Sequence, residues 1–285
     1  MTELADKRFF GFRGFMKSGT NWVGNLLNLH PDISCIGELH LQSVFQTMQR
    51  DLRSLPVMSS PQVRRTVRDH LQEMFRKTIV TLNDSSATVV GERTPHTLAP
   101  LALRDARWIT IIRDGRDVLV SRMFHLFNFP EVSRVFQRFP ELDETRRKFS
   151  DNKWYFHEHP DQLLSCEDVV RESMRWWKEH LESDRRTIAR HPGLPVLTVR
   201  YEDFHQDIDV QRNRMYRFLQ VRPESAAAVP DSLRPKLDQE RPDEFNRKGE
   251  VGDWKNWIRD DARRWINEEA GEELIRQGYI DSQNW

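Results

Sequence analysis

The sequence predicts an α/β fold in three layers, with a central, mainly parallel sheet flanked by helices. Two observations carry that prediction. Short apolar runs alternate along the chain with longer patterns of helical period, as successive βαβ units require. The first of those runs also passes through a glycine-bearing turn straight into a helical pattern, the arrangement by which a strand delivers a helix N-terminus to an anion. A chain of 285 residues can bury one sizeable core, and a single domain accounts for all of it.

Taken in order, the runs at 9–15, 33–36, 88–91, 108–112 and 196–199 are short and largely apolar, which suits buried strands. Helical patterns fall at 21–29, 62–82, 117–127, 167–190, 212–219 and 261–277. The segment 129–164 keeps neither period and reads as a lid or acceptor-binding excursion. Its Phe129, Phe136, Phe139, Trp154, Tyr155 and Phe156, with Phe124 and Phe127 just before it, suggest an apolar or aromatic pocket. Arg134, Arg138, Arg146 and Arg147 in the same stretch would equally suit an acidic acceptor.

Composition narrows the classes. Lysine and arginine number 44 and aspartate and glutamate 44, so no global field favours nucleic acid or an anionic membrane, and any anion must be held locally. Two cysteines, Cys35 and Cys166, are too few for a disulfide framework and lack the close pairs of a zinc site. The N-terminal residues are charged from Glu3 onward, unlike a secretory leader. No stretch approaches the ~20 apolar residues of a membrane span. These features point to a cytoplasmic protein.

The first strand runs into Phe15-Met16-Lys17-Ser18-Gly19-Thr20-Asn21-Trp22, followed by a helical pattern in Val23, Leu26 and Leu27. Backbone N–H groups, the positive end of a helix dipole and the Lys17 charge then converge on one place. Gly11 and Lys17-Ser18 satisfy most of the nucleotide triphosphatase loop G-x-x-x-x-G-K-[ST], but Met16 stands where a glycine should precede the lysine, and the glycine comes later as Gly19. A second site follows the run at 108–112: Arg113-Asp114-Gly115-Arg116-Asp117, with Ser121 beyond it. Ligands of parallel sheets sit at strand carboxyl ends, and a guanidinium fork suits phosphate there. By residue type alone, Arg113 could instead pair with Asp114 or Asp117. A third stretch, Arg247-Lys248-Gly249-Glu250-Val251-Gly252-Asp253-Trp254-Lys255, joins two adjacent cations to glycines that let backbone close over an anion.

Together these stretches resemble the sulfotransferases that use 3′-phosphoadenosine 5′-phosphosulfate (PAPS) and release 3′-phosphoadenosine 5′-phosphate (PAP). The resemblance spans nearly the whole chain and implies a P-loop-NTPase-like fold. It implies that Lys17, Ser18, Gly19, Thr20 and Asn21 hold the 5′-phosphosulfate, with an asparagine where relatives more often carry threonine, and that Trp22 stacks on adenine. It implies that Arg113, Ser121, Arg247, Lys248 and Gly249 bind the 3′-phosphate, and that Tyr201, in the strand-end stretch Val199-Arg200-Tyr201-Glu202-Asp203, lies near the adenine. Eight helical residues rise about 12 Å, so Ser121 reaches the phosphate that Arg113 holds only if much of the interval is turn.

An acceptor hydroxyl must lose a proton. Glu38, after the second strand, is placed like the catalytic glutamate of tyrosylprotein and heparan sulfotransferases. His96, in Arg93-Thr94-Pro95-His96, falls near the catalytic histidine of the small-molecule enzymes, with Pro95 inserted. His40 is the third candidate base. His157-Glu158-His159 is the one suggestive metal cluster, and it reads as solvated, so no metal is expected. The acceptor itself, a small molecule, glycan or peptide, is not encoded in these motifs. Two other classes fit parts of the pattern: a P-loop kinase using ATP and magnesium, and a non-catalytic nucleotide-binding protein.

Overall fold

The computed structural model describes residues 4, 6–100, 102–132, 134–234, 240–244 and 247–285. Most of the N-terminal stretch read for a leader lies outside them. Five strands, β1 (Arg8–Gly14), β2 (Ile33–Ile36), β3 (Val89–Thr94), β4 (Arg107–Ile112) and β5 (Val196–Arg200), form one sheet in the order β2-β3-β1-β4-β5. Every pairing is parallel. The helices are α1 (Thr20–Leu27), α2 (Leu41–Arg53), α3 (Pro61–Leu82), α4 (Gly115–Asn128), α5 (Val135–Arg138), α6 (Asp143–Asp151), α7 (Tyr155–Glu158), α8 (Glu167–Arg190), α9 (Tyr201–Gln206), α10 (Ile208–Phe218) and α11 (Asp260–Arg276). The result is the expected P-loop-like α/β fold, a parallel sheet flanked by helices.

The chain divides into two compact units. The first comprises Met1–Ile112 and Ser183–Arg234, the second Arg113–Glu182 and Pro235–Trp285. All five strands belong to the first. Its central strand β1 is buried on both faces from Phe9 onward, with Phe10 and Phe12 at 0% exposure. Phe10 and Phe12 join Val23, Leu26 and Leu27 of α1, Ile109 and Ile111 of β4, and Tyr216 of α10 in one cluster. A second cluster joins Phe9, Ile79, Val90 and Trp108. Gly11 is required here, because a Cβ on it would lie 2.4 Å from the Trp108 ring.

One charged pair sits inside this sheet. Arg13 of β1 and Glu92 of β3 are each 3% exposed and form a direct ion pair, and the Thr94 hydroxyl donates to the same carboxylate. Glu92, Arg93 and Thr94 thus belong to β3, which runs three residues past the apolar segment that predicted it. Asp184 of α8 is also buried in this unit. It accepts a hydrogen bond from the Leu98 N–H at 2.6 Å and another from the Thr110 hydroxyl at 3.4 Å.

In the second unit, the segment 129–164 is a succession of short turns. Three of them begin at a proline, Pro130, Pro140 and Pro160, whose fixed φ starts a helical turn. Of the eight aromatic residues read for an acceptor pocket, Phe124, Phe127 and Phe156 are buried, Phe129, Phe136, Phe139 and Tyr155 are half-buried and Trp154 is exposed. Phe124, Phe127, Phe149 and Phe156 are buried, with ring centroids between 4.8 and 6.2 Å apart along their contacts. They are the core of this unit. Arg138 pairs with Glu172 and Arg146 with Asp143, so these cations have acidic partners within the fold. Among the described residues no helix is long and apolar enough to cross a membrane. Cys35 and Cys166 are both free thiols.

Candidate functional site

In the first unit, β1 ends at Gly14 and α1 starts at Thr20, leaving a turn of five residues between them. Two of the five take left-handed backbone: Lys17 at φ 66 and Gly19 at φ 93. A lysine held there is strained, and such strain persists only where the surroundings impose it. Gly19 is the N-cap of α1, no side chain caps the helix, and its first turn carries no acid. No N-cap side chain takes up the amides of the first turn, and the helix dipole there favours an anion. Ser18 is 1% exposed, and its hydroxyl has no hydrogen-bond partner among the described residues. A buried, unpartnered hydroxyl beside an uncapped helix start is a donor set for phosphate or sulfate oxygens.

Asn21 faces Arg93, whose Nε donates to Asn21 Oδ1 at 3.1 Å while Nη1 donates to Asn25 Oδ1 at 3.1 Å. With its oxygen accepting from Arg93, the Asn21 side chain has its NH2 as a donor. Arg93 had no role in the sequence reading; it lies past the apolar part of β3, where periodicity gave no signal. Trp22 is half-buried. Its Nε1 donates to the Leu233 carbonyl at 2.6 Å, and its ring meets Tyr201 at 5.3 Å, Phe204 at 5.8 Å and His205 at 5.3 Å. Tyr201 also lies against Gly19, where an added Cβ would sit 2.6 Å from its ring. The structure thus joins Gly19, Trp22 and Tyr201, residues from two distant stretches of sequence.

The three candidate bases also come together in this unit. Glu38 Oε2 lies 3.5 Å from His40 Nε2, and both side chains reach solvent at 39% and 53% exposure. The His40 and His96 rings meet edge to face at 5.6 Å, and His96 Nε2 lies 3.1 Å from the Ser43 hydroxyl. His40 takes left-handed backbone, φ 52, as the N-cap of α2. Burial, with the charges of Arg13 and His40, holds His96 below the ordinary histidine range, so it is neutral at pH 7.

The second unit holds the other predicted cations. Arg113 is 7% exposed; its Nη2 donates to the Glu250 carbonyl at 3.0 Å, and its own carbonyl accepts from Trp177 Nε1 at 3.3 Å. The Asp114 carboxylate is gripped by Arg116 at 2.7 Å while it caps α4. Helix α4 begins at Gly115, so nearly all of the interval to half-buried Ser121 is helix rather than turn. The loop from Arg247 onward is shaped by Gly249 at φ 68 and Gly252 at φ 82. Asp117, in the first turn of α4, accepts from the Gly252 N–H at 2.8 Å and the Trp254 N–H at 3.0 Å and pins that loop to the helix. Burial raises the Asp117 carboxyl above the usual range despite the nearby Arg113 charge and these hydrogen bonds. In the sequence Asp117 reads only as an ion-pair candidate for Arg113; its loop contacts are long-range and invisible to spacing.

Arg247 contacts Glu240 and Asp253 directly, and its guanidinium lies 4.2 Å from the Phe124 ring centroid. Lys248 Nζ lies 2.6 Å from Glu250, 3.4 Å from Asp253 and 3.9 Å from Glu240. The adjacent cations of the motif are therefore both engaged by carboxylates. Among the described residues, no group of three or more His, Cys, Asp or Glu could hold a metal ion.

A model of the sulfotransferase domain matches residues 13–277. A search of curated proteins returned no match. Among solved structures, the chain is similar to a mouse sulfotransferase complexed with PAP, at 18% identity, covering 94% of this chain and 84% of that one with a TM-score of 0.48. It is similar to a sulfotransferase from Alicyclobacillus acidocaldarius at 16% identity, over 97% of this chain and 96% of that one, with a TM-score of 0.47. A sulfotransferase from Mycobacterium avium is 13% identical over 98% of this chain and 79% of that one, with a TM-score of 0.45.

Proposed function

Because the chain belongs to the sulfotransferase domain family, we propose that it moves a sulfuryl group from PAPS to a hydroxyl or amine of its acceptor and releases PAP. The observation that carries this reading is the start of α1: a helix with no side-chain cap, the unpartnered Ser18 hydroxyl and Lys17 in left-handed backbone, all on one turn. That turn suits the 5′-phosphosulfate. Lys17 stabilises charge on the leaving phosphate oxygen, and Ser18, Gly19, Thr20 and Asn21 donate to the same group. Trp22 and Tyr201 take the adenine. Arg113, Arg247, Lys248 and Gly249 take the 3′-phosphate; Ser121, which only the family resemblance suggests, is left out of this reading because helix rather than turn separates it from Arg113.

Sulfuryl transfer leaves little covalent work to the protein, so positioning and charge dominate. Glu38 takes the acceptor proton as the acceptor oxygen attacks sulfur and the sulfur–oxygen bond to the phosphate breaks. His40, at 3.5 Å, is placed to orient or relay for Glu38, while His96 and His40 are the alternative bases. The reaction requires no metal. The chain acts as a single sulfotransferase domain, and two free cysteines suit a cytoplasmic, reducing setting.

Thermal denaturation with PAP, and separately with ATP and magnesium, tests the donor class, followed by turnover of labelled PAPS with pooled acceptors. PAP should raise the midpoint and ATP should not. Stabilisation by ATP·Mg²⁺ alone would move the protein to the kinase class, and PAP binding without turnover of PAPS would leave it a nucleotide-binding protein.

A further inference from the structure

The carboxylate of Glu240 is surrounded by cations. One of its oxygens, Oε1, contacts Arg247 Nη1 directly and lies 3.1 Å from His157 Nε2, and its other oxygen is 3.9 Å from Lys248 Nζ. The side chain is 14% exposed, and those of Arg247, Lys248 and His157 are 10%, 19% and 28% exposed. This is the coordination of a bound anion, supplied by the chain itself.

The three acids around Arg247 and Lys248 are not equivalent. Asp253 is 4% exposed, and besides Arg247 and Lys248 it accepts from Asn256 Nδ2 at 3.0 Å and Trp257 Nε1 at 3.0 Å. Four donors from its own loop make it a fixed part of the frame, and its carboxyl lies below the usual range: burial pushes it up, but the charge and hydrogen bond of Arg247, the Asn256 hydrogen bond and the Lys248 charge together outweigh that. Glu250 stands at 37% exposure and touches only Lys248 among these cations. Glu240 alone shares both loop cations and His157, and no neutral donor among the described residues anchors its carboxylate. Charge completes the argument. With Arg113 counted, three positive charges face the three carboxylates, so nothing is left to neutralise an added phosphate dianion unless one carboxylate withdraws.

We infer that Glu240 holds the seat of the nucleotide's 3′-phosphate, so that donor binding exchanges one anion for another on Arg247, Lys248 and His157. This rests on the reading that Arg247 and Lys248 bind the 3′-phosphate. It adds two residues to the site: His157, a further donor to the phosphate, and Glu240, an internal competitor that weakens retention of PAP and so speeds its release. The affinity of the nucleotide is then set by the difference between two anions rather than by the cations alone.

Isothermal titration calorimetry of the whole chain with PAP and with adenosine 5′-phosphate, which lacks the 3′-phosphate, tests the exchange. Glu240→Gln should tighten PAP roughly tenfold or more by removing a charge-assisted competitor, and leave adenosine 5′-phosphate unchanged. Glu240→Ala should show the same gain, which guards against an effect of the new amide or a fold lost in one variant. His157→Gln in the Glu240→Gln background should give back part of the gain. PAP bound no tighter by both Glu240 variants, while the unmutated protein still prefers PAP to adenosine 5′-phosphate, would overturn the exchange and leave the phosphate site standing. An unmutated protein with no preference for PAP would overturn the 3′-phosphate reading and the exchange with it.

Discussion

Replacing Gly19 with alanine probes the 5′ loop more directly than removing any charged group. Two independent penalties meet at this position. The backbone sits at φ 93, where an L side chain costs about 1–2 kcal/mol. The added Cβ would also fall 2.6 Å from Tyr201 Cδ2 and 2.8 Å from Cε2. Tyr201 cannot swing aside cheaply: it is 5% exposed, with Trp22 at 5.3 Å and His205 at 4.8 Å against its ring. Overpacking of that kind costs about 1–3 kcal/mol, which brings the expected loss to about 2–5 kcal/mol. Urea denaturation of Gly19→Ala, Tyr201→Ala and the double variant separates the two parts. The backbone penalty should persist in the Tyr201→Ala background and the steric one should vanish, giving a coupling of about 1–3 kcal/mol. A loss below about 1 kcal/mol, or an equal loss in both backgrounds, would refute the geometry described for this loop.

Lys17→Ala should lower kcat about 10²-fold or more while weakening PAP much less, because its charge is needed most as the phosphate oxygen departs; equal losses in kcat and PAP affinity would place Lys17 in ground-state binding only. Arg13→Met alone should cost about 3–5 kcal/mol by stranding buried Glu92, whereas Arg13→Met with Glu92→Leu should recover most of it; urea midpoints that fall equally in both would count against a paired charge. For Asp184, burial pushes the carboxyl from 3.8 up to about 6, against its hydrogen bonds to Leu98 and Thr110 and the Arg13 charge. The folded pKa lies above the unfolded one, so this group's contribution is complete below 3.8 and is lost as pH rises through about 6. Asp184→Asn keeps an acceptor for Leu98 and cannot ionise, so it should gain up to about 3 kcal/mol on the unmutated protein across that window; parallel stability-against-pH curves would sink the assignment.

The strands were legible because each is a short apolar run, and four of the five were placed to within a residue at either end. The exception, β3, continues through Glu92-Arg93-Thr94 because Arg13 neutralises Glu92 across the sheet, a long-range pairing that hides strand behind charge. Helix α2 went unread, although Leu41, Val44, Phe45, Met48 and Leu52 recur at helical spacing; the run opens on His40 in left-handed backbone rather than on a conventional cap. The helix read at 212–219 starts earlier, at Ile208, where Asp207 accepts from the Val210 N–H, and Tyr201-Glu202-Asp203 opens a helix of its own rather than closing a strand. Phe124, Phe127 and Phe156 were legible as apolar but not as core, since only packing separates a pocket lining from the inside of a small unit. The cations of the candidate site were legible by type and order. Their carboxylate partners were not, because Asp117 and Glu240 reach the Arg247 loop through contacts that no spacing encodes.

The bare start of α1 has a consequence for how the molecule handles its nucleotide. Gly19 brings no side-chain oxygen to close the helix, and a serine or aspartate in its place would meet the same left-handed backbone and the same Tyr201 ring as alanine. On the proposed function that job falls to the visitor, whose oxygens would complete the first turn. Local firmness at this turn should therefore rise and fall with occupancy, and amide exchange along Thr20–Leu27 should report, residue by residue, how much of the time a guest is in place.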